Sequence, residues 1–128
     1  MMAAPGKAWM STRALTKASA AIELGTAGAL IIVPDIVAHL LLGSELSGGG
    51  IAVARVAGLA LLALGLACWP GGEEAARQAT RALFVYNLLA GIYLGYLRVG
   101  GGFVGYLLWP ACVLHIVLGL LLARPALK

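Results

Sequence analysis

Six side chains able to do chemistry stand in or beside long apolar runs: Glu23, Asp35, His39, Arg55, Asn87 and His115. Carboxylates and imidazoles bind protons or metals, and a guanidinium binds anions. Asp35 and His39 are four residues apart and read most simply as a local pair on one helix face. His39 and His115 fall at different depths, which argues against their sharing one haem. Cys68 and Cys112 lie inside apolar runs without metal-type spacing and read as buried thiols. No nucleophile stands at a readable distance from a base. There is no phosphate-binding loop, no HExxH, no acidic pair on one helix and no lipidation signal. No catalytic residue, metal or cofactor is therefore assigned.

The apolar runs must position these groups. The chain has 128 residues, of which 62% are hydrophobic and 11% charged, and its mean hydropathy is +0.98. A soluble domain carries about 25% charged residues, so too few charges are present to cover a water-facing surface. An all-α integral membrane four-helix bundle is expected. The net charge of +4 comes from basic residues at the ends of apolar runs, where membrane orientation accounts for them without nucleic acid.

Residues 1–18 form a basic segment with Lys7, Arg13 and Lys17, read as uncleaved because the following run exceeds a signal-peptide core. Trp9, Met10 and Leu15 suit the headgroup layer. The membrane domain covers 19–123, and 124–128 is a tail. Span one starts near Ser19 and meets Pro34, which removes a helix hydrogen bond. Either the helix kinks and runs on to Leu42, or it ends near Val33 and a short interfacial helix follows; the second is favoured. The later spans are expected over 51–69, 79–97 and 103–123, with Pro110 as a kink. Pro70-Gly71-Gly72 stops span two, Glu73–Gln78 is a polar connector, and Arg98–Gly102 is a turn.

Small residues recur at helical spacing. Gly58 and Gly65 share a stripe of span two with Arg55 and Trp69. Gly91 and Gly95 share one of span three with Asn87. Span four has Ala111, His115 and Gly119, and span one has Gly25 and Gly28. Such residues let helices approach closely in lipid, so these faces are expected to form the bundle core. Glu23, Asn87 and His115, with Tyr86, make a candidate polar cluster toward the inner side, Glu23 being the shallowest. Asp35, His39 and Arg55 make a candidate outer cluster. Arg55 is expected to pair with Asp35 or Glu45, the alternative being an anion or headgroup site. Glu23 is expected to meet Arg81 or the interface, the alternative being a proton- or cation-coupled carboxylate. The aromatics Tyr93, Tyr96, Tyr106 and Trp109 read as an interface belt or as a lined ligand pocket.

Four spans place both termini on one side. Lys7, Arg13, Lys17, Arg77, Arg81, Arg124 and Lys128 fall there, against Arg55 and Arg98 on the other. The excess of basic residues predicts a multi-pass protein of the cell (inner) membrane with both termini cytoplasmic.

The plan resembles the DoxX-like group of small bacterial four-helix membrane proteins. A glycine-containing first span ending at Pro34, the segment Leu40–Gly43, then Ala54-Arg55-Val56-Ala57-Gly58 and Leu64-Gly65 carry the likeness, which covers the first half. The resemblance implies a four-helix fold and, from some members, an accessory place in membrane redox complexes; it assigns no catalytic residue. Glu23-Leu24-Gly25-Thr26 is also similar to the Glu-x-x-Gly-Thr of small multidrug-resistance transporters, one residue shorter. That likeness would give Glu23 a coupling role. The leading expectation is a non-enzymatic accessory or structural subunit that packs on a larger complex or on itself. The alternatives are a small proton-coupled transporter and a lipid- or quinone-binding protein.

Overall fold

The computed structural model describes residues 11–69 and 71–128. Lys7, Trp9 and Met10 of the basic segment, and Pro70, lie outside the described residues. Five helices follow in order, with no strand among the described residues: α1 (Thr12–Ile32), α2 (Pro34–Leu42), α3 (Gly48–Ala67), α4 (Glu73–Val99) and α5 (Leu108–Ala126). All but α2 are long and apolar enough to cross a membrane. The protein is an all-α bundle with four candidate membrane spans.

Helix α1 starts earlier than its apolar run. The Ser11 hydroxyl accepts a hydrogen bond from the Ala14 amide at 3.2 Å, an N-cap that lets the basic Thr12–Lys17 stretch wind as helix. It ends at Val33, whose φ of −131° and ψ of 56° leave the helical region because Pro34 follows. Pro34 then opens α2 at a position where its missing N–H costs nothing. Nine residues reach only about 13 Å at about 1.5 Å each, too short to span, so α2 is a short helix after the first span. Gly43 closes it at a φ of 68°, a left-handed C-cap that suits glycine.

Two other boundaries move for local reasons. The polar connector Glu73–Gln78 is the start of α4, whose acidic first turn complements the helix dipole. Residues 103–107 are loop, so Pro110 lies in the first turn of α5. No hydrogen bond is lost there, and the expected kink has no cause.

The helices pair antiparallel. In the α1/α3 pair, a Cβ on Gly58 would come within 3.0 Å of the Ala27 carbonyl oxygen, and one on Gly65 within 2.7 Å of the Leu24 side chain. In the α4/α5 pair, a Cβ on Gly91 would meet Ile116 at 2.6 Å and one on Gly119 would meet Leu88 at 3.3 Å. Gly95 is looser, with only the Cys112 Sγ at an ordinary 3.4 Å, while Gly25 and Gly28 have nothing within 4 Å. So Gly58, Gly65 and Gly91 are close-approach positions and the span-one glycines are not.

Helix α1 joins the two pairs, and α3 packs chiefly on α1 and α2. The Thr16 and Thr80 hydroxyls lie 3.2 Å apart. Leu15, Ala20, Cys68, Ala79, Leu83, Leu118 and Leu122 form an apolar core near the start of α1. At the other membrane face, the Leu107 amide donates to the Leu40 carbonyl at 2.8 Å. There Gly105 lies flat against the backbone of Leu40 and Leu41, which fastens α2 to the α4–α5 loop.

Candidate functional site

Beyond Leu15, the buried face of α1 is made of polar and small residues. Thr16, Ser19, Ala20, Glu23 and Ala27 are buried at helical spacing. Because α1 begins at Thr12, Glu23 falls in its middle turns. Asn87 is likewise central in α4, and His115 lies within α5.

Asn87 is fully buried and organises the site. Its amide nitrogen donates to the Ser19 hydroxyl at 2.9 Å and to the Leu83 carbonyl at 2.8 Å. Its amide oxygen lies 2.9 Å from Nδ1 of His115. Three membrane helices are thus tied by one side chain. Tyr86 packs edge-on against the His115 ring, with centroids 5.7 Å apart at 85°.

Glu23 is fully buried, and neither carboxyl oxygen has a hydrogen-bond partner among the described residues. Tyr86 faces it without closing a bond of good geometry. An ionised group in mid-membrane costs about 2.5–3.5 kcal/mol on insertion scales, and among the described residues no cation pairs with Glu23. The expected partner, Arg81, instead donates from Nε to the Ala126 carbonyl at 3.1 Å. Asn87 and His115 therefore meet, and Glu23 lies near them without joining the hydrogen-bond chain.

The candidate outer cluster divides. Asp35, His39 and Glu45 line one surface hollow of about 430 Å³. Arg55 is not part of it; its Nε donates to the Ile31 carbonyl at 3.3 Å. The expected ion pair with Asp35 or Glu45 is absent, and the described residues hold a single salt bridge, Arg77–Glu74 at 3.6 Å. The reason is the break at Pro34, which leaves carbonyls at the end of α1 without amide donors. A cation at a helix C-terminus is favourable. Arg81 does the same for the end of α5.

The larger feature is a cleft of about 520 Å³ bordered by all five helices, with Leu61 alone from α3. Leu30, Leu41, Leu61 and Leu94 are among its apolar walls; Tyr86 and His115 line it with Tyr93 and Thr26. The Thr26 hydroxyl is committed to the Ile22 carbonyl at 2.9 Å, so the imidazole and the two phenols are its available polar groups. A mostly apolar concavity of this size with a few convergent polar groups suits a small ligand. Tyr96, Tyr106 and Trp109 stay exposed outside it.

Sequence reading passed over Ser19 and the cleft. Ser19 had a signal: it stands four residues before Glu23 on an otherwise apolar helix. The cleft's walls come from five helices and look like lipid-facing residues; of the aromatics offered as a pocket lining, Tyr93 alone borders it. No group of three or more metal-binding side chains occurs among the described residues.

These features define a small multi-pass integral membrane protein with a polar knot inside its bundle. No protein-family profile, curated protein or solved structure matches the chain.

Proposed function

We propose that the protein binds an amphipathic molecule dissolved in the bilayer, of the lipid or quinone class, and carries out no catalysis of its own. The observation that supports this is the intramembrane cleft, apolar along its walls and bordered by His115 and Tyr86. His115 is held from behind by Asn87, which is itself bonded to Ser19, and such a chain of hydrogen bonds orients the imidazole. The test is extraction in mild detergent followed by native mass spectrometry, which detects bound small molecules. Wild-type protein is expected to carry a lipid-soluble adduct, and Ala111→Trp, which fills the cleft wall, is expected to lose it. Bare wild-type protein that also takes up no added amphiphile would end this reading.

A second reading, an accessory subunit of a larger membrane complex such as a redox complex, is supported by α3. Its buried residues are Gly58 and Gly65, so a long apolar flank remains for a partner helix or a second copy. The same spectra would show such partners directly. The loose DoxX-like pattern favours this role as well. Proton-coupled transport through Glu23 has less support, because Glu23 does not line the cleft; unchanged flux in Glu23→Gln would dismiss it. The basic residues Arg13, Lys17, Arg77, Arg81 and Arg124 at the ends of α1, α4 and α5 support cytoplasmic termini in a bacterial inner membrane.

A further inference from the structure

We infer that the cleft selects a ligand offering a hydroxyl donor, phenolic or alcoholic, to Nε2 of His115. The inference rests on the cleft reading above and adds the polarity of the ligand's head.

The argument is one of proton placement. The Leu83 carbonyl can only accept, so the Asn87 atom 2.8 Å from it is the amino nitrogen. The second hydrogen of that nitrogen goes to Ser19 Oγ at 2.9 Å. The flipped amide is excluded, and the atom facing His115 is a carbonyl oxygen. That oxygen can only accept, so Nδ1 of His115, 2.9 Å away, carries a hydrogen. An uncharged imidazole has one N–H. Nε2 is then a bare lone pair on the far side of the ring, and its tautomer is fixed by Asn87.

Nothing among the described residues answers that lone pair. Nε2 has no hydrogen bond among the described residues and is not among the sealed-in unpaired atoms. His115 is half-buried and borders the cleft. The nearest phenol, Tyr86, presents its ring to the imidazole and turns toward Glu23. No carboxylate bonds to the ring to hold a second proton on it. A ligand head with only acceptors, such as an ether, ester or ketone, sets lone pair against lone pair. A hydroxyl completes the series ligand O–H to Nε2, Nδ1–H to Asn87, and Asn87 to Ser19.

The test uses full-length protein in nanodiscs and isothermal titration with three probes: 4-nonylphenol, its methyl ether 4-nonylanisole, and 1-dodecanol. The first two differ by the donor alone. One hydrogen bond is worth about tenfold in affinity, so nonylphenol is expected to bind about tenfold tighter than nonylanisole. Dodecanol binding as tightly as nonylphenol would mark the natural ligand as an alcohol; weaker binding would mark it as a phenol, and the inference holds in both cases. In His115→Phe, checked for an unchanged helical spectrum, the preference is expected to vanish. Nitrogen-15 NMR of the histidine ring reads the tautomer without any variant and should show Nδ1 protonated and Nε2 bare. Equal or tighter binding of the ether overturns the inference and leaves the cleft reading standing. Binding of none of the probes overturns both.

Discussion

Replacing Gly105 with alanine should loosen the seal between α2 and the α4–α5 loop. A Cβ there would strike the carbonyl group of Leu41 and come within 2.6 Å of the Leu40 carbonyl oxygen. Both obstacles are backbone, so no side chain can swing aside. Overpacking of a filled site costs about 1–3 kcal/mol, and rigid obstacles put this site at the upper end. The displacement also endangers the Leu107–Leu40 hydrogen bond, worth about 0.5–1.5 kcal/mol. Gly105 is not helical, so alanine regains no helix propensity. The expected loss is about 3–4 kcal/mol from these two contributions. Gly28→Ala is the internal control, because nothing lies within 4 Å of its new methyl and alanine gains up to about 1 kcal/mol in a helix. Reversible unfolding in mixed micelles, followed by circular dichroism, measures both. If Gly105→Ala is as stable as wild type while Gly28→Ala shifts as expected, the proposed contact between α2 and the loop is wrong. Leu40, Leu41 and Leu107 also border the cleft, so the same variant should weaken ligand binding.

Three further outcomes follow from particular contacts. Gly91→Ala should destabilise the α4/α5 pair by about 1–2 kcal/mol, whereas Gly95→Ala, which meets only Cys112 at 3.4 Å, should be neutral or stabilising by up to about 1 kcal/mol; equal effects in the unfolding assay would show that the pairing register is wrong. Arg55→Ala should cost about 0.5–1 kcal/mol whether or not Asp35 is replaced by asparagine, since Arg55 holds a carbonyl and not an acid; a double-mutant cycle coupling the two residues would contradict this. Glu23→Met should be neutral or stabilising, because an unpartnered buried acid gives way to an apolar side chain of similar length; a loss above about 2 kcal/mol would mean that the carboxyl holds a partner.

The two arginine caps give the bundle a common logic. Arg55 and Arg81 each take a carbonyl at the end of a neighbouring helix. In lipid an open backbone carbonyl is expensive, so long cationic side chains are spent on helix ends. That leaves Glu23 as a buried acid with no basic partner among the described residues. The polar interior is then a tautomer-fixing knot of Ser19, Asn87 and His115, with the acid beside it and an apolar cleft in front.

Much of this was legible in the chain. An apolar content of 62% with 11% charge cannot coat a water-soluble surface, so the membrane class is a matter of solvation. Glycine and proline clusters delimit the spans, and Pro34 breaks the first because it has no N–H to give. The identities of the polar residues inside the spans were equally plain. Which of them meet was decided by tertiary structure. In a bilayer the outward faces are as apolar as the inward ones, so hydrophobic periodicity does not mark the packed side. Gly28 and Gly58 look alike in sequence, yet only Gly58 has a helix against it. The antiparallel register of α4 and α5 and the approach of α1 bring Asn87 to His115 and Ser19 and leave Glu23 unpaired. The end of α1 offers Arg55 a carbonyl before it offers an acid. The cleft exists only where five separate helices meet around it, and no single stretch of the chain encodes such a shape.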